Sequence, residues 1–226
     1  MTMEPMRCAL LLLSATTSFA HDMATAVTWS REVSRLVNRH CVSCHSDNGK
    51  AFPLTTFRQA HDRAPAIIRA VLERRMPPFG AVKGFGDLRD DSSLTQEQIE
   101  LFVKWAQAGA TEGDASLHPQ PSPPIPASAP NAATGTEWQV NGTRTLEQPM
   151  SFAAIVARSI PAGASVRIVA QKPDGIVAPL VWFYQYDPKN SHTWFFRKTI
   201  SLPAGTKIVA STADGVAFSL YTPARR

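Results

Sequence analysis

The chain has 226 residues and a formal net charge of +5, with 44% hydrophobic and 18% charged residues. This length suits one large domain or two small ones. The lysines and arginines are spread along the sequence, which is typical of an ordinary solvated surface and argues against a nucleic-acid partner.

The first residues, 1–20, have the pattern of a secretory signal peptide. Arg7 gives a positive start, residues 9–13 are apolar, and Ser18-Phe19-Ala20 forms a small-x-small cleavage signal. The apolar run is too short to span a bilayer. We therefore expect cleavage after Ala20, with a second candidate site at residues 24–26, and an exported, periplasmic protein that has no membrane span after cleavage.

A first helix is predicted to begin near Ser30, because apolar residues then recur at helical spacing. These residues are Trp29, Val33, Leu36 and Val37. The helix would deliver the chain to Cys41, the first of the two cysteines that remain after signal cleavage.

The next segment reads Cys41-Val42-Ser43-Cys44-His45. Cys-x-x-Cys-His is the attachment signal of c-type haem. Two thiols on one turn of backbone can add to the two vinyl groups of one porphyrin, and the following imidazole becomes the proximal ligand of the iron. The single motif predicts one covalent haem c, bound by Cys41 and Cys44 with His45 as an axial ligand.

Other interpretations of the same motif are weaker. A structural zinc site needs two more ligands, and no cysteine follows Cys44. A redox Cys-x-x-Cys would follow a strand and begin a helix, whereas this motif ends a helical pattern. A plain disulfide would not require His45.

A second helix is predicted to begin near Asp62 as N-cap, with Pro65 in its first turn. It leads to Met76-Pro77-Pro78. A low-spin electron carrier needs a sixth iron ligand, and a thioether raises the reduction potential. Met76 lies 31 residues after His45 and is the predicted sixth ligand. His61, an open iron position, and Met76 as a mere core residue are the alternatives.

A third helix is predicted from the capping box Thr95-x-x-Gln98 to a stop at Gly109. Together, the three helices, the haem motif and the methionine loop predict an all-α class I cytochrome c fold over residues 27–114.

At this point the sequence resembles a family of bacterial single-haem cytochromes c. The resemblance rests on residues 27–33, 41–45, 76–78 and 94–110. Such domains are often fused to, or found beside, domains resembling copper type II ascorbate-dependent monooxygenases. The resemblance implies covalent haem at Cys41 and Cys44 with His45 and Met76 as axial ligands. Phe79 departs from the tryptophan that is common there.

A change of composition marks a second domain. Residues 111–136 hold six prolines, and a Pro-rich linker is predicted at 115–136. Residues 137–226 are predicted to form a small antiparallel β-sandwich, which makes the protein an α + β two-domain chain. Its predicted strands are 166–170, 181–186, 193–196, 207–210 and 216–221.

The segment 202–207 and the aromatic strand before it resemble the last β domain of those copper monooxygenases. Copper ligands are few here, because only His192, His118 and Met150 are candidates and they are scattered in the sequence. We interpret this half as a degenerate fragment that packs on the cytochrome domain or docks a partner, with one exposed aromatic patch.

These patterns favour a non-enzymatic electron carrier whose partners are redox proteins, with a copper oxygenase-type enzyme among the candidates. Two alternatives remain: a haem-based sensor or gas binder, and an electron-donating subunit of a copper oxygenase-type enzyme. The net basic charge of the second half, with 10 Lys/Arg against 5 Asp/Glu after residue 114, could steer an acidic partner.

Overall fold

The computed structural model describes residues 26–119, 133–212 and 214–224. The predicted signal peptide and residues 120–132 of the predicted linker therefore lie outside the described residues. No helix in the described ranges is long and apolar enough to cross a membrane.

Short helices form the first part of the chain. A π-helical turn, Trp29–Val33, continues into α1 (Ser34–His40), and α2 (Phe57–His61), α3 (Ala64–Leu72) and α4 (Gln96–Gln107) follow. They share a small apolar core because each carries one buried stripe. Its largest members are Trp29, Ile67, Phe102 and Trp105.

The predicted N-cap of the second helix is wrong, whereas Pro65 lies in its first turn as predicted. Asp62 ends α2, and α3 begins at Ala64 after Arg63, whose side chain makes no capping hydrogen bond. An additional capping box, Thr56 with Gln59, begins the separate short helix α2. The predicted capping box of Thr95 and Gln98 at the start of α4 is confirmed.

In the described part of the chain, eight strands form two antiparallel sheets of four. The strands are β1 (Glu137–Asn141), β2 (Thr143–Thr145), β3 (Met150–Ser159), β4 (Val166–Gln171), β5 (Val177–Phe183), β6 (Thr193–Leu202), β7 (Lys207–Ala210) and β8 (Ala217–Tyr221). One sheet has the order β1-β8-β3-β6 and the other β2-β7-β4-β5. The two sheets share one buried core. The predicted strand positions correspond to β4–β8, whereas β1–β3 were not predicted.

The prediction of an all-α class I cytochrome c fold for residues 27–114 is wrong. More of the described residues lie in strands (28%) than in helices (24%), and the helices are short. Between α3 and α4 the chain leaves the helices and pairs with both sheets. Ala81 bridges Phe183 on edge strand β5, and Leu88 bridges Phe196 on edge strand β6.

Backbone hydrogen bonds fix this crossing, which we call the bridging segment (residues 79–89). The Val82 N–H donates to the Trp182 carbonyl (2.9 Å) and the Arg89 N–H to the Phe195 carbonyl (2.8 Å). Phe79, Ala81 and Leu88 are buried in the core of the sheets. The first half of the chain thus completes the core of the second half and covers two strand edges that would otherwise be open.

Candidate haem-attachment site

The Cys-x-x-Cys-His motif forms a single turn at the end of α1. The Cys41 N–H donates to the Val37 carbonyl (2.8 Å), as in a continuing helix. The N–H groups of Cys44 and His45 then both donate to the Cys41 carbonyl, at 3.0 and 2.8 Å. The turn therefore brings both thiols and the imidazole together on one short piece of backbone.

Both cysteines carry free thiols and are half-buried. Cys41 packs against the helical core. Burial, together with a smaller effect of the neighbouring Cys44, raises the pKa of the Cys41 thiol to about 12. Both groups that the sequence assigns to haem attachment thus lie at the boundary between core and solvent.

His45 is held by one ring nitrogen. Its Nδ1 lies 2.8 Å from the Phe52 carbonyl oxygen, which can only accept, so Nδ1 carries the hydrogen. A backbone carbonyl on one imidazole nitrogen is the usual way in which a metal-binding histidine is oriented. This bond leaves Nε2 available as a ligand. The Phe52 ring packs 4.7 Å from the imidazole and fixes its tilt.

The loop that supplies Phe52 folds back tightly on the motif. The Ala51 N–H donates to the Cys44 carbonyl (3.1 Å), and the Leu54 N–H donates to the His45 carbonyl (2.9 Å). At Gly49 a Cβ atom would lie 2.2 Å from the Cys44 carbonyl oxygen, so no larger residue fits without movement of the backbone. The loop therefore holds the motif and the Phe52 carbonyl in one unit.

Met76 lies elsewhere, after the end of α3. Its side chain is 40% exposed, and its N–H donates to the Ala70 carbonyl (3.2 Å). It borders a small open pocket. The apolar walls of the pocket include Val71, Leu94 and Ile99, and Tyr184 reaches it from the β half. Cys41, Cys44 and His45 do not line this pocket.

The other candidate ligands are dispersed. His61 is exposed on α2 beside Asp62 (3.4 Å), and His118 lies 3.8 Å from Glu112. Met150 begins β3, and His192 precedes β6. Within the described ranges, no group of three or more His, Cys, Asp or Glu side chains could hold a metal ion. An ion held by side chains alone needs such a group, whereas haem iron takes only two axial side chains.

The residues of the motif fit haem c by the chemistry of their donor set. Two free thiols three residues apart and an imidazole with Nδ1 already bonded are the groups that covalent attachment and proximal ligation need. The Phe52 carbonyl was not predicted, because its contact with His45 comes from the backbone and leaves no trace in residue type.

His40 is a second residue that the sequence did not single out. It is buried directly before Cys41, with Nδ1 2.9 Å from the Ser92 carbonyl and Nε2 3.4 Å from the Gln98 side chain. Burial lowers the pKa of His40. This histidine joins α1 to the start of α4, next to the motif.

The predicted aromatic patch is largely internal. Phe183, Trp194 and Phe196 are buried, while Trp182 and Tyr184 are half-buried and stack edge to face (6.0 Å). The Arg167 guanidinium covers the Trp182 ring at 4.1 Å.

No protein-family model matches this chain, and a search of the curated proteins returns no match. The assignment of the site therefore depends on the residues themselves, and the family resemblance stays a prediction.

Proposed function

We propose that this chain is an exported c-type cytochrome with one covalent haem that passes single electrons between redox proteins in the periplasm. The observation that carries the proposal is the oriented His45, whose Nδ1 is bonded to the Phe52 carbonyl on the same turn as two free thiols. Covalent attachment through this motif defines the class, and it does not require the all-α fold that the structure excludes.

Attachment is a balanced addition. Each thiol, of Cys41 and of Cys44, adds across one vinyl group, so a C–S bond replaces the S–H bond and the hydrogen goes to the adjacent vinyl carbon. Nothing is oxidised and nothing leaves. The mass of the chain therefore rises by that of one whole haem.

His45 supplies one axial ligand through Nε2, and we assign the other to Met76. Support for Met76 comes from its partly exposed side chain beside a small pocket that Val71, Leu94 and Ile99 line in part. When bound, haem c carries one electron by cycling its iron between the ferric and ferrous states. With both axial positions taken by side chains, no position is left for a substrate, which favours a carrier over an enzyme.

The first test is the mass of full-length protein that was exported in a host with c-type haem maturation. We expect signal removal and the addition of one haem in the wild type, and no added haem in Cys41→Ala/Cys44→Ala. Ser43→Ala is the matched control, because Ser43 is exposed within the same turn. An unmodified wild-type mass would contradict the proposal.

The second test is the visible spectrum of wild type and Met76→Ala. Oxidised wild type should show the weak far-red band of sulfur–iron ligation, and Met76→Ala should lose it. Met150→Ala is the control, since Met150 lies at the start of β3 and packs against the core of the sheets. A band that survives in Met76→Ala would assign the sulfur ligand to another methionine, whereas a wild type without the band would favour His61.

A haem-based gas binder is the second candidate, and one observation favours it. The Met76 side chain is 40% exposed, so packing around the thioether holds it only in part. A weakly held ligand can be displaced by a diatomic gas. Ready binding of carbon monoxide to reduced wild type, together with an absent far-red band, would support this function over electron transfer.

A further inference from the structure

We infer that the β half is a working part of the candidate haem centre, because the buried indole of Trp194 positions the segment that carries Met76. Trp194 is a positioning residue in this scheme and not a ligand. The inference rests on the proposed function, since Met76 acts as an axial ligand only there.

The central contact is a buried hydrogen bond between the two halves of the chain. The Trp194 indole Nε1–H donates to the Phe79 carbonyl oxygen at 2.9 Å. Trp194 is 1% exposed, and its ring meets Phe183 edge to face at 4.7 Å. The indole is therefore fixed in direction, and the position of the Phe79 carbonyl is fixed with it.

The Met76 segment is anchored at both ends by different halves. On the helical side, the N–H groups of Arg75 and Met76 donate to the Ala70 carbonyl, at 2.9 and 3.2 Å. On the β side, Trp194 holds Phe79, whose side chain is 2% exposed in the core of the sheets. Met76 lies between these anchors.

The two residues between Met76 and the second anchor, Phe79, limit rotation of the backbone. Both are prolines, Pro77 and Pro78, and their rings fix φ. The fixed φ angles leave fewer rotations that could absorb a shift of the Phe79 carbonyl before it reaches the Met76 backbone. These two anchors therefore fix the Met76 backbone, from which its side chain would reach the iron.

Two further contacts join the β half to the same place. A Cβ atom at Gly80, where φ is +75°, would lie 3.3 Å from the Trp194 ring, so the segment lies directly on the indole. Tyr184, which follows β5, lines the pocket that Met76 borders. The sheets thus form part of the surroundings of the sixth ligand, and a partner that displaced β6 would change its distance from iron.

The test compares wild type with Trp194→Phe in the full-length exported protein. Phenylalanine keeps the ring packing and removes the N–H, which leaves the buried Phe79 carbonyl without its donor. We expect amide hydrogen exchange at Phe79 and Val82 to quicken by about tenfold or more, whereas exchange at Ala170 and Ile208, which pair in the other sheet, stays unchanged. The far-red band should weaken and the reduction potential should fall.

Two other variants complete the design. Trp138→Phe is the matched control, because Trp138 lies on β1 at the opposite edge of the same sheet. It should change neither the exchange at Phe79 nor the band. Gly80→Ala keeps the indole N–H but pushes the segment off the ring, so it should weaken the band even if Trp194→Phe does not fold.

The outcomes separate the inference from the function on which it rests. Haem-loaded Trp194→Phe with faster exchange at Phe79 and a weaker band supports the inference. A haem-loaded Trp194→Phe with the band and potential of wild type overturns it while the proposed function stands. If the wild type itself gains no haem mass, the proposed function fails and the inference fails with it.

Discussion

Gly86 illustrates how a single residue determines the course of the bridging segment. Gly84 and Gly86 both have positive φ, at +84° and +87°, which L-residues rarely adopt. At Gly86 a Cβ atom would lie 2.0 Å from the Leu180 carbonyl oxygen on β5, whereas at Gly84 nothing lies within 4 Å. An alanine at Gly84 would therefore cause only backbone strain, whereas an alanine at Gly86 would cause the same strain and a clash with β5.

We predict that Gly84→Ala lowers the free energy of unfolding by about 1 kcal/mol, the cost of a left-handed alanine. Gly86→Ala should lower it by about 3 kcal/mol, because the clash with the Leu180 carbonyl adds to the same strain. Urea unfolding of both variants measures the difference. Equal losses would mean that the segment moves freely off β5.

His192 makes stability depend on pH. Its Nδ1 lies 3.0 Å from the Asn190 carbonyl, and its buried Nε2 has no hydrogen-bond partner among the described residues. Burial lowers the pKa of His192 below its ordinary value of 6.5. The unfolded chain therefore binds the proton more readily, and stability from this group is present above pH 6.5 and lost as pH falls toward the folded-state pKa.

We predict that wild type loses stability between pH 7 and pH 5, and that His192→Phe loses less over the same range. Phenylalanine retains ring contact with Phe79 and Trp194, which lie 5.4 and 4.1 Å away, and removes the titration. Part of the slope should remain, because burial also lowers the pKa of His40. Urea midpoints measured across this pH range check the difference, and parallel curves for the two proteins would refute it.

At the scale of elements, α4 depends on its N-terminal cap. The Gln98 N–H donates to Thr95 Oγ1 (3.2 Å), and the Thr95 N–H donates to Gln98 Oε1 (2.9 Å). We predict that Thr95→Ala lowers the free energy of unfolding by about 1 kcal/mol and that Thr95→Ser restores most of it, because serine keeps the capping oxygen. Urea unfolding of both variants measures these free energies. A serine variant as unstable as the alanine variant would show that the hydrogen bond to the Thr95 hydroxyl does not stabilise α4.

Local signals account for what the sequence predicted correctly. The cap of α4 and the strands β4–β8 depend on residues close together in the chain, as does the spacing of Cys41 and Cys44. The capping box at Thr56, which begins α2, is an equally local signal, but the sequence prediction placed a helix N-cap at Asp62 instead. Strand β3 was not predicted because its small residues and central position give no clear alternation of apolar and polar residues. Two consecutive residues, Ala154 and Ile155, are both buried.

Long-range pairing explains the principal error. Ala81 pairs with Phe183, about a hundred residues later, so nothing near Ala81 in the sequence indicates a strand edge. The same limit applies to the site. The predicted ligand His45 can be identified from its motif. The carbonyl that orients it belongs to the backbone of Phe52, so residue type does not indicate it. The anchor of Met76 on Trp194 is likewise a contact between distant parts of the chain.

At the scale of the whole molecule, the two apolar cores are connected by the bridging segment. Val71 and Leu94 belong to the helical core. Phe79, Ala81 and Leu88, which lie between these two residues in the sequence, belong to the core of the sheets. Loss of packing in this segment should therefore loosen the sheets and expose the edges of β5 and β6. Leu88 and Leu72 offer a matched pair, since they are 4% and 53% exposed.

We predict that Leu88→Ala lowers the free energy of unfolding by about 3 kcal/mol, because it leaves a cavity in the sheet core. Leu72→Ala, which removes the same atoms from an exposed site, should change it by less than about 0.5 kcal/mol. Urea unfolding measures both losses, and amide exchange at Arg89 and Arg197, which bond across the segment and β6, shows where the opening occurs. If Leu88→Ala were as mild as Leu72→Ala, the Leu88 side chain would not stabilise the core of the sheets, and the connection between the two cores would not depend on it.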